Sequence, residues 1–207
     1  MIAIIDYDMG NIGSVANMLK KIGQKAVITQ NPQVIADAEK LILPGVGAFD
    51  SGMQQLHNMN LTHVLEQKIK QDNVPILGIC LGAQLLLNNS EEGQLPGLRF
   101  IEGEVKRFQF DSNNKALRIP FMGWGFVHKK KPHPLTDLLP EEPRYYFVHS
   151  YHFKMFNEED ELLESNYGYR YASAFVRNNV AGVQFHPEKS HKFGMALLRN
   201  FVSWNGK

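Results

Sequence analysis

The chain has 207 residues, with 22 Lys and Arg against 21 Asp and Glu, and a formal charge of +1 leaves no long-range field to gather nucleic acid or acidic lipid. Hydrophobic residues make up 43% and charged ones 21%, and no apolar run approaches the roughly 18 residues of a membrane span, so the disordered and membrane classes drop out. A lone cysteine cannot make an internal disulfide and the first residues lack an export signal, so one domain over residues 1–207 in a reducing cytoplasm is expected.

Residues 2–5 are the first predicted strand. Residues 14–22 follow as a helix, with Val15, Met18, Leu19 and Ile22 at helical spacing and Gly23 as its C-cap. Strands at 26–29, 40–43 and 75–79 alternate with a helical stretch at 49–71, broken near Asn58-Met59-Asn60, and a short helix at 81–88. That alternation is the pattern of an open parallel sheet with helices on both faces. From about Phe100 the pattern changes to strands at 104–110, 117–127, 145–149, 172–177 and 181–185, which predicts an antiparallel C-terminal half. Pro120 makes the second of these an edge or interrupted strand. A last helix at 190–204 carries Phe193, Leu197 and Phe201 on one stripe, and without a linker the two halves are expected to share one sheet.

The only cysteine sits in Gly78-Ile79-Cys80-Leu81-Gly82, where an apolar strand runs straight into an apolar helix. Flanking glycines remove side chains that would collide in a sharp strand-to-helix elbow and leave the sulfur at its apex. Helix amides aimed at the sulfur favour the thiolate, and the Leu81 amide is available as an oxyanion donor. A buried structural cysteine would need no such paired glycines. A thiol also needs a base and a group to orient it. Val183-Gln184-Phe185-His186-Pro187-Glu188 offers both, an imidazole at a strand end and a carboxylate two residues on. His149 and His152 make a weak metal pair, because positions three apart on a strand face opposite ways, and they are read as structural or pocket-lining. Pro44-Gly45-Val46-Gly47 is read as a loop beside the elbow that completes an oxyanion hole, rather than as a plain strand-exit turn. The glycines between Asp6 and Gly13 match no nucleotide fingerprint.

Taken together, the Cys80 elbow with Gln84, the Pro44 to Gly47 loop and the His186-Pro187-Glu188 segment resemble the class I (triad) glutamine amidotransferases, in the same order along the chain. Ile4-Ile5-Asp6-Tyr7, Met9-Gly10-Asn11, Met122-Gly123-Trp124, Tyr146-Phe147-Val148-His149-Ser150-Tyr151 and His186-Pro187-Glu188-Lys189-Ser190 are similar to the glutaminase subunits of imidazole glycerol phosphate synthase within that family. The resemblance implies a flavodoxin-like α/β fold that hydrolyses glutamine, with Cys80 as nucleophile, His186 as base and Glu188 as its orienter. It implies oxyanion amides at Val46 and Leu81, and substrate binding by Gln84, Glu92, Gly47, Ser150 and Tyr151. No metal or organic cofactor is implied. It further implies a heterodimer with a (β/α)₈ cyclase met by Lys189 and Trp124, which receives the ammonia and forms imidazole glycerol phosphate and AICAR in histidine biosynthesis. Asp8, Phe121 and Gly125 depart from the usual pattern, and a paralogue feeding an acetamidino-sugar synthase is the alternative. A cysteine hydrolase of another kind and a non-catalytic assembly subunit are the rivals from other classes.

Overall fold

The computed structural model describes residues 1–110 and 117–207. In chain order they form β1 (Ile2–Ile5), α1 (Ile12–Lys21), β2 (Ala26–Thr29), α2 (Pro32–Ala36), β3 (Lys40–Gly45), α3 (Phe49–Asn58), α4 (Leu61–Glu66), β4 (Ile76–Cys80), α5 (Leu81–Leu85), β5 (Asn89–Ser90), β6 (Gly103–Arg107), β7 (Phe121–Phe126), β8 (His128–Lys129), β9 (Arg144–His149), β10 (Tyr151–Met155), β11 (Glu161–Tyr167), β12 (Tyr169–Arg177), β13 (Val180–Val183) and α6 (His191–Ser203). The order β2-β1-β3-β4-β13 is parallel throughout, the flavodoxin arrangement with β13 as fifth strand. Beyond β13 the sheet continues antiparallel through β12, β10 and β6, as the sequence predicts for the C-terminal half.

Both faces of the parallel half are covered, which is why its strands are continuous apolar runs rather than alternating ones. Along β1, Ile2 and Ile4 join the core beneath α1 and α6 with Val15, Leu19, Leu197 and Phe201. Ala3 and Ile5 join the opposite core with Phe49, Leu56 and Leu65. Each such Leu or Ile taken out of water contributes about 1.5–3 kcal/mol. The expected break in the long helical stretch falls between α3 and α4, where Asn60 takes a left-handed φ of 55°, and a π-helical turn (Gln67–Gln71) ends the stretch.

The two halves share the large sheet, as the sequence predicts, with one exception. Strands β7 and β9 pair with each other in a separate two-stranded antiparallel sheet. Pro120 before β7 has no N–H to give a central ladder, and Gly123, at φ 148°, and Gly125 lack side chains to pack within one. The helix after the cysteine is also shorter than expected, Leu81–Leu85 rather than 81–88, because the chain turns there into β5.

The register decides where the chemistry sits. Gly45 lies beside Cys80, and Val183 beside Ile79, so the carboxyl ends of β3, β4 and β13 form one edge. From that edge emerge the Val46 loop, the cysteine elbow and the His186 segment.

Candidate active site

Cys80 ends β4 with φ 53° and ψ −113°, and α5 begins at the next residue. A non-glycine residue held there costs about 1–3 kcal/mol and persists only where its surroundings enforce it. The enforcing contacts are close. A Cβ on Gly82 would stand 1.8 Å from the Leu43 carbonyl oxygen, and one on Gly78 would stand 2.5 Å from the Ala83 Cα. Both glycines of the motif are therefore steric requirements of the bend, as the sequence predicts. With α5 only five residues long, the helix contributes a single turn of amides behind the sulfur rather than a long dipole.

His186 arrives on the segment after β13 and is tied to β9. Its N–H donates to the Tyr146 carbonyl at 2.9 Å, and its own carbonyl accepts from Ser190 Oγ, which in turn accepts from the Tyr146 N–H. Pro187–Lys189 forms a 3₁₀ turn that folds Glu188 back, with Oε1 2.7 Å from His186 Nδ1. That bond assigns the proton to Nδ1 and leaves Nε2, buried and without a hydrogen-bond partner among the described residues, as the reactive nitrogen. Burial pulls the imidazolium down, but Cys80 and Glu188 outweigh it and hold the His186 pKa up at about 9.

Val46, Gly47, Cys80, Leu81, Gln84, Glu92, Ser150, Tyr151 and His186 all line one cavity of about 300 Å³. Every residue given a nucleophile, base, oxyanion or substrate role thus meets at one place, with Glu188 directly behind the base. Glu92 is held there by accepting the Phe49 N–H at 2.9 Å, which caps α3 where Ala48 offers no side chain. A more open depression of about 820 Å³ lies at the opposite end of the parallel strands, around Lys130, Asp160 and Arg177, and is lined by no Cys, Ser or Thr among the described residues.

The two residues given partner roles lie outside the cavity. Trp124 stands exposed on β7 with Met122 and Phe126 on the same face, its ring stacked on His191 at 6.0 Å and approached by Arg144 at 5.9 Å. Lys189 lies 5.7 Å from the Tyr146 ring centre. His149 lines the cavity, whereas His152 binds the Tyr169 hydroxyl elsewhere. The expectation that they face opposite ways fails. The bend at Ser150 moves the chain from the small sheet to the large one, so both rings pack on Phe108.

Sequence reasoning missed two neighbours of the sulfur. Gln184 donates from Nε2 to Cys80 Sγ at 3.7 Å. Tyr7 is wholly buried next to Gly45, and burial, reinforced by Cys80, pushes its hydroxyl up. Tyr7 sits between Asp6 and Asp8 and carried no signal beyond its place in the family-like segment Ile4-Ile5-Asp6-Tyr7, while Gln184 was a polar residue in the apolar stretch 181–185.

The family model described as "Glutamine amidotransferase class-I" matches residues 3–204. A Methanococcus maripaludis protein named imidazole glycerol phosphate synthase subunit HisH 2 is 50% identical over 202 residues, 98% of each chain. A Pseudomonas aeruginosa protein of the same name is 48% identical with the same coverage. Among solved structures, a glutamine amidotransferase superposes over the full length of both chains with a TM-score of 0.77 at 17% identity, a likeness of fold.

Proposed function

Because the chain belongs to the class-I glutamine amidotransferases, and within them to the HisH glutaminase subunits of imidazole glycerol phosphate synthase, we propose that Cys80, His186 and Glu188 hydrolyse glutamine for a partner cyclase. The observation that carries this reading is the convergence of the Cys80 elbow, the His186–Glu188 pair and the Val46 loop on one 300 Å³ cavity.

Glutamine enters with its side-chain carboxamide toward Cys80, held by Gln84, Glu92 and the Gly47 and Ser150–Tyr151 segments. His186 takes the thiol proton, and the resulting thiolate attacks the amide carbon. Charge develops on the carbonyl oxygen, to be met by the N–H groups of Val46 and Leu81. His186 then protonates the departing nitrogen, releasing ammonia and leaving a γ-glutamyl thioester. Water, deprotonated by His186, cleaves that thioester to glutamate and restores the thiol, so one glutamine and one water give one glutamate and one ammonia. Glu188 keeps the base in the correct tautomer and balances the imidazolium.

The acceptor of the ammonia is a separate cyclase subunit with a (β/α)₈ barrel, joined in a heterodimer through the face that carries Trp124 and Lys189. Exposed apolar residues on alternate positions of β7 and cations beside aromatic rings suit such a surface. A reducing cytoplasm fits a reaction that depends on a free thiol.

Replacement of Cys80 by Ala tests the proposal in the presence of the cyclase. Glutamine-dependent synthesis is lost, while synthesis from added ammonium salt continues. Loss of both, or of neither, overturns the assignment.

A further inference from the structure

Gln184 is wholly buried, and its backbone is fixed by an N–H bond to the Ser173 carbonyl at 2.9 Å. Its side chain bridges two members of the site. Oε1 accepts from Gln84 Nε2 at 3.1 Å, and Nε2 donates to Cys80 Sγ at 3.7 Å. A buried amide costs several kcal/mol unless it is hydrogen-bonded, so a residue that only filled this space would be better apolar. With its oxygen committed to Gln84, the amide must turn its nitrogen to the sulfur.

The groups that face the sulfur explain what that donor is for. Tyr7 packs from the segment after β1, His186 from the segment after β13, and Glu92 and His149 share the cavity. His149 is held neutral at ordinary pH, its pKa driven by burial down to about 3. Glu92 brings a carboxyl group, which offers the sulfur no positive charge, and burial keeps the Tyr7 hydroxyl neutral. Only the His186 imidazolium among these titratable groups favours a negative sulfur. A thiolate, which has lone pairs and no proton, gains more from an N–H donor than a thiol does.

We infer that Gln184 is a further functional residue of the site: its carboxamide donates a hydrogen bond that stabilises Cys80 as the thiolate and aims the sulfur into the cavity, with Gln84 fixing the orientation of that carboxamide. The use of this bond in catalysis rests on the glutaminase reading.

The test reads Cys80 directly. Gln184→Met keeps the volume and removes both hydrogen bonds. The rate of Cys80 alkylation by iodoacetamide is followed against pH in the folded subunit. The variant reacts about 10- to 100-fold more slowly near neutral pH, the worth of one hydrogen bond to a charged group, and converges with wild type at high pH. A merely structural role would lower stability without moving this profile, so an unchanged profile overturns the inference. Should the variant fail to fold, wild-type protein decides. The Gln184 side-chain amide resonance shifts as Cys80 ionises and stays fixed in Cys80→Ala, whereas a resonance indifferent to Cys80 overturns the inference. A shifted alkylation profile in the variant together with no glutaminase activity from the wild-type complex would instead sink the proposed function and leave this hydrogen bond standing.

Discussion

Replacing Glu188 by Gln probes the base through its orienting partner. The carboxylate lies 2.7 Å from Nδ1 in a site where His186 is only 1% exposed. Burial opposes the charged ring, yet Cys80 and Glu188 together hold its pKa at about 9 against the ordinary 6.5. That rise corresponds to about 3 kcal/mol in favour of the imidazolium. Gln preserves the shape and removes the Glu188 share of that rise, so the titration of His186 falls below 9 while the Cys80 share remains. A raised folded-state pKa confers stability that is complete below 6.5 and is lost as pH rises through about 9. Because Cys80 keeps its share of the rise, the variant is less stable by only a part of that, below about 3 kcal/mol near pH 6, and the gap closes above about pH 9. Glutamate release in the complex falls by roughly 10²- to 10⁴-fold, since the base loses its tautomer and its counter-charge. NMR titration of His186 and urea unfolding at two pH values check both parts. An unmoved midpoint, or a stability gap that widens with rising pH, would refute the reasoning.

Gly82→Ala drives a Cβ to within 1.8 Å of a backbone oxygen; it is expected to cost about 3 kcal/mol or more and to lower Tm by about 6 °C or more, and a thermal melt within a degree of wild type would remove the steric argument. His149, driven by burial from 6.5 to about 3, confers stability present above pH 6.5 and lost as pH falls toward 3, at up to about 1.4 kcal/mol per pH unit. His149→Gln should flatten acid destabilisation in that window, measured by urea unfolding, and an equally steep slope would count against the buried neutral ring. Trp124→Ala, at a site 45% exposed, should change folding stability by no more than about 0.5 kcal/mol and weaken cyclase binding by about 2 kcal/mol, or roughly 30-fold, in calorimetry. Equal affinity would take Trp124 out of the interface.

The parallel half was legible because a strand covered on both faces needs apolar residues at every position, and Ile2–Ile5 and Ile76–Cys80 have them. The elbow was legible for a different reason: two glycines around one cysteine mark a steric problem that only a sharp bend creates. Strands β10 and β11 were not predicted, since Lys154, Glu161 and Glu164 interrupt them and their partners are chosen by long-range pairing with β6 and β12. The separation of β7 and β9 into their own sheet was illegible too. It depends on how that sheet docks, and no local periodicity encodes docking. Gln184 had a readable oddity, a polar side chain in the apolar stretch 181–185, but only the fold brings the sulfur to its tip.

That second sheet matters to the chemistry because the two halves of the machinery are held differently. Cys80 is locked within the parallel sheet, with register partners on β3 and strain that the Leu43 and Ala83 contacts enforce. His186 hangs between sheets: it leaves β13 and is fastened to Tyr146 of β9 by an isolated bridge and the Ser190 hydroxyl. The Tyr146 ring in turn touches Trp124 and lies under Lys189, on the exposed face of the small sheet. A partner bound to that face therefore bears on the strand that positions the base, while the nucleophile stays where the elbow puts it. The separation between sulfur and imidazole thus depends on how the small sheet docks beside β13 as well as on the β13–β4 register, and the small sheet exposes the face from which that docking can be altered.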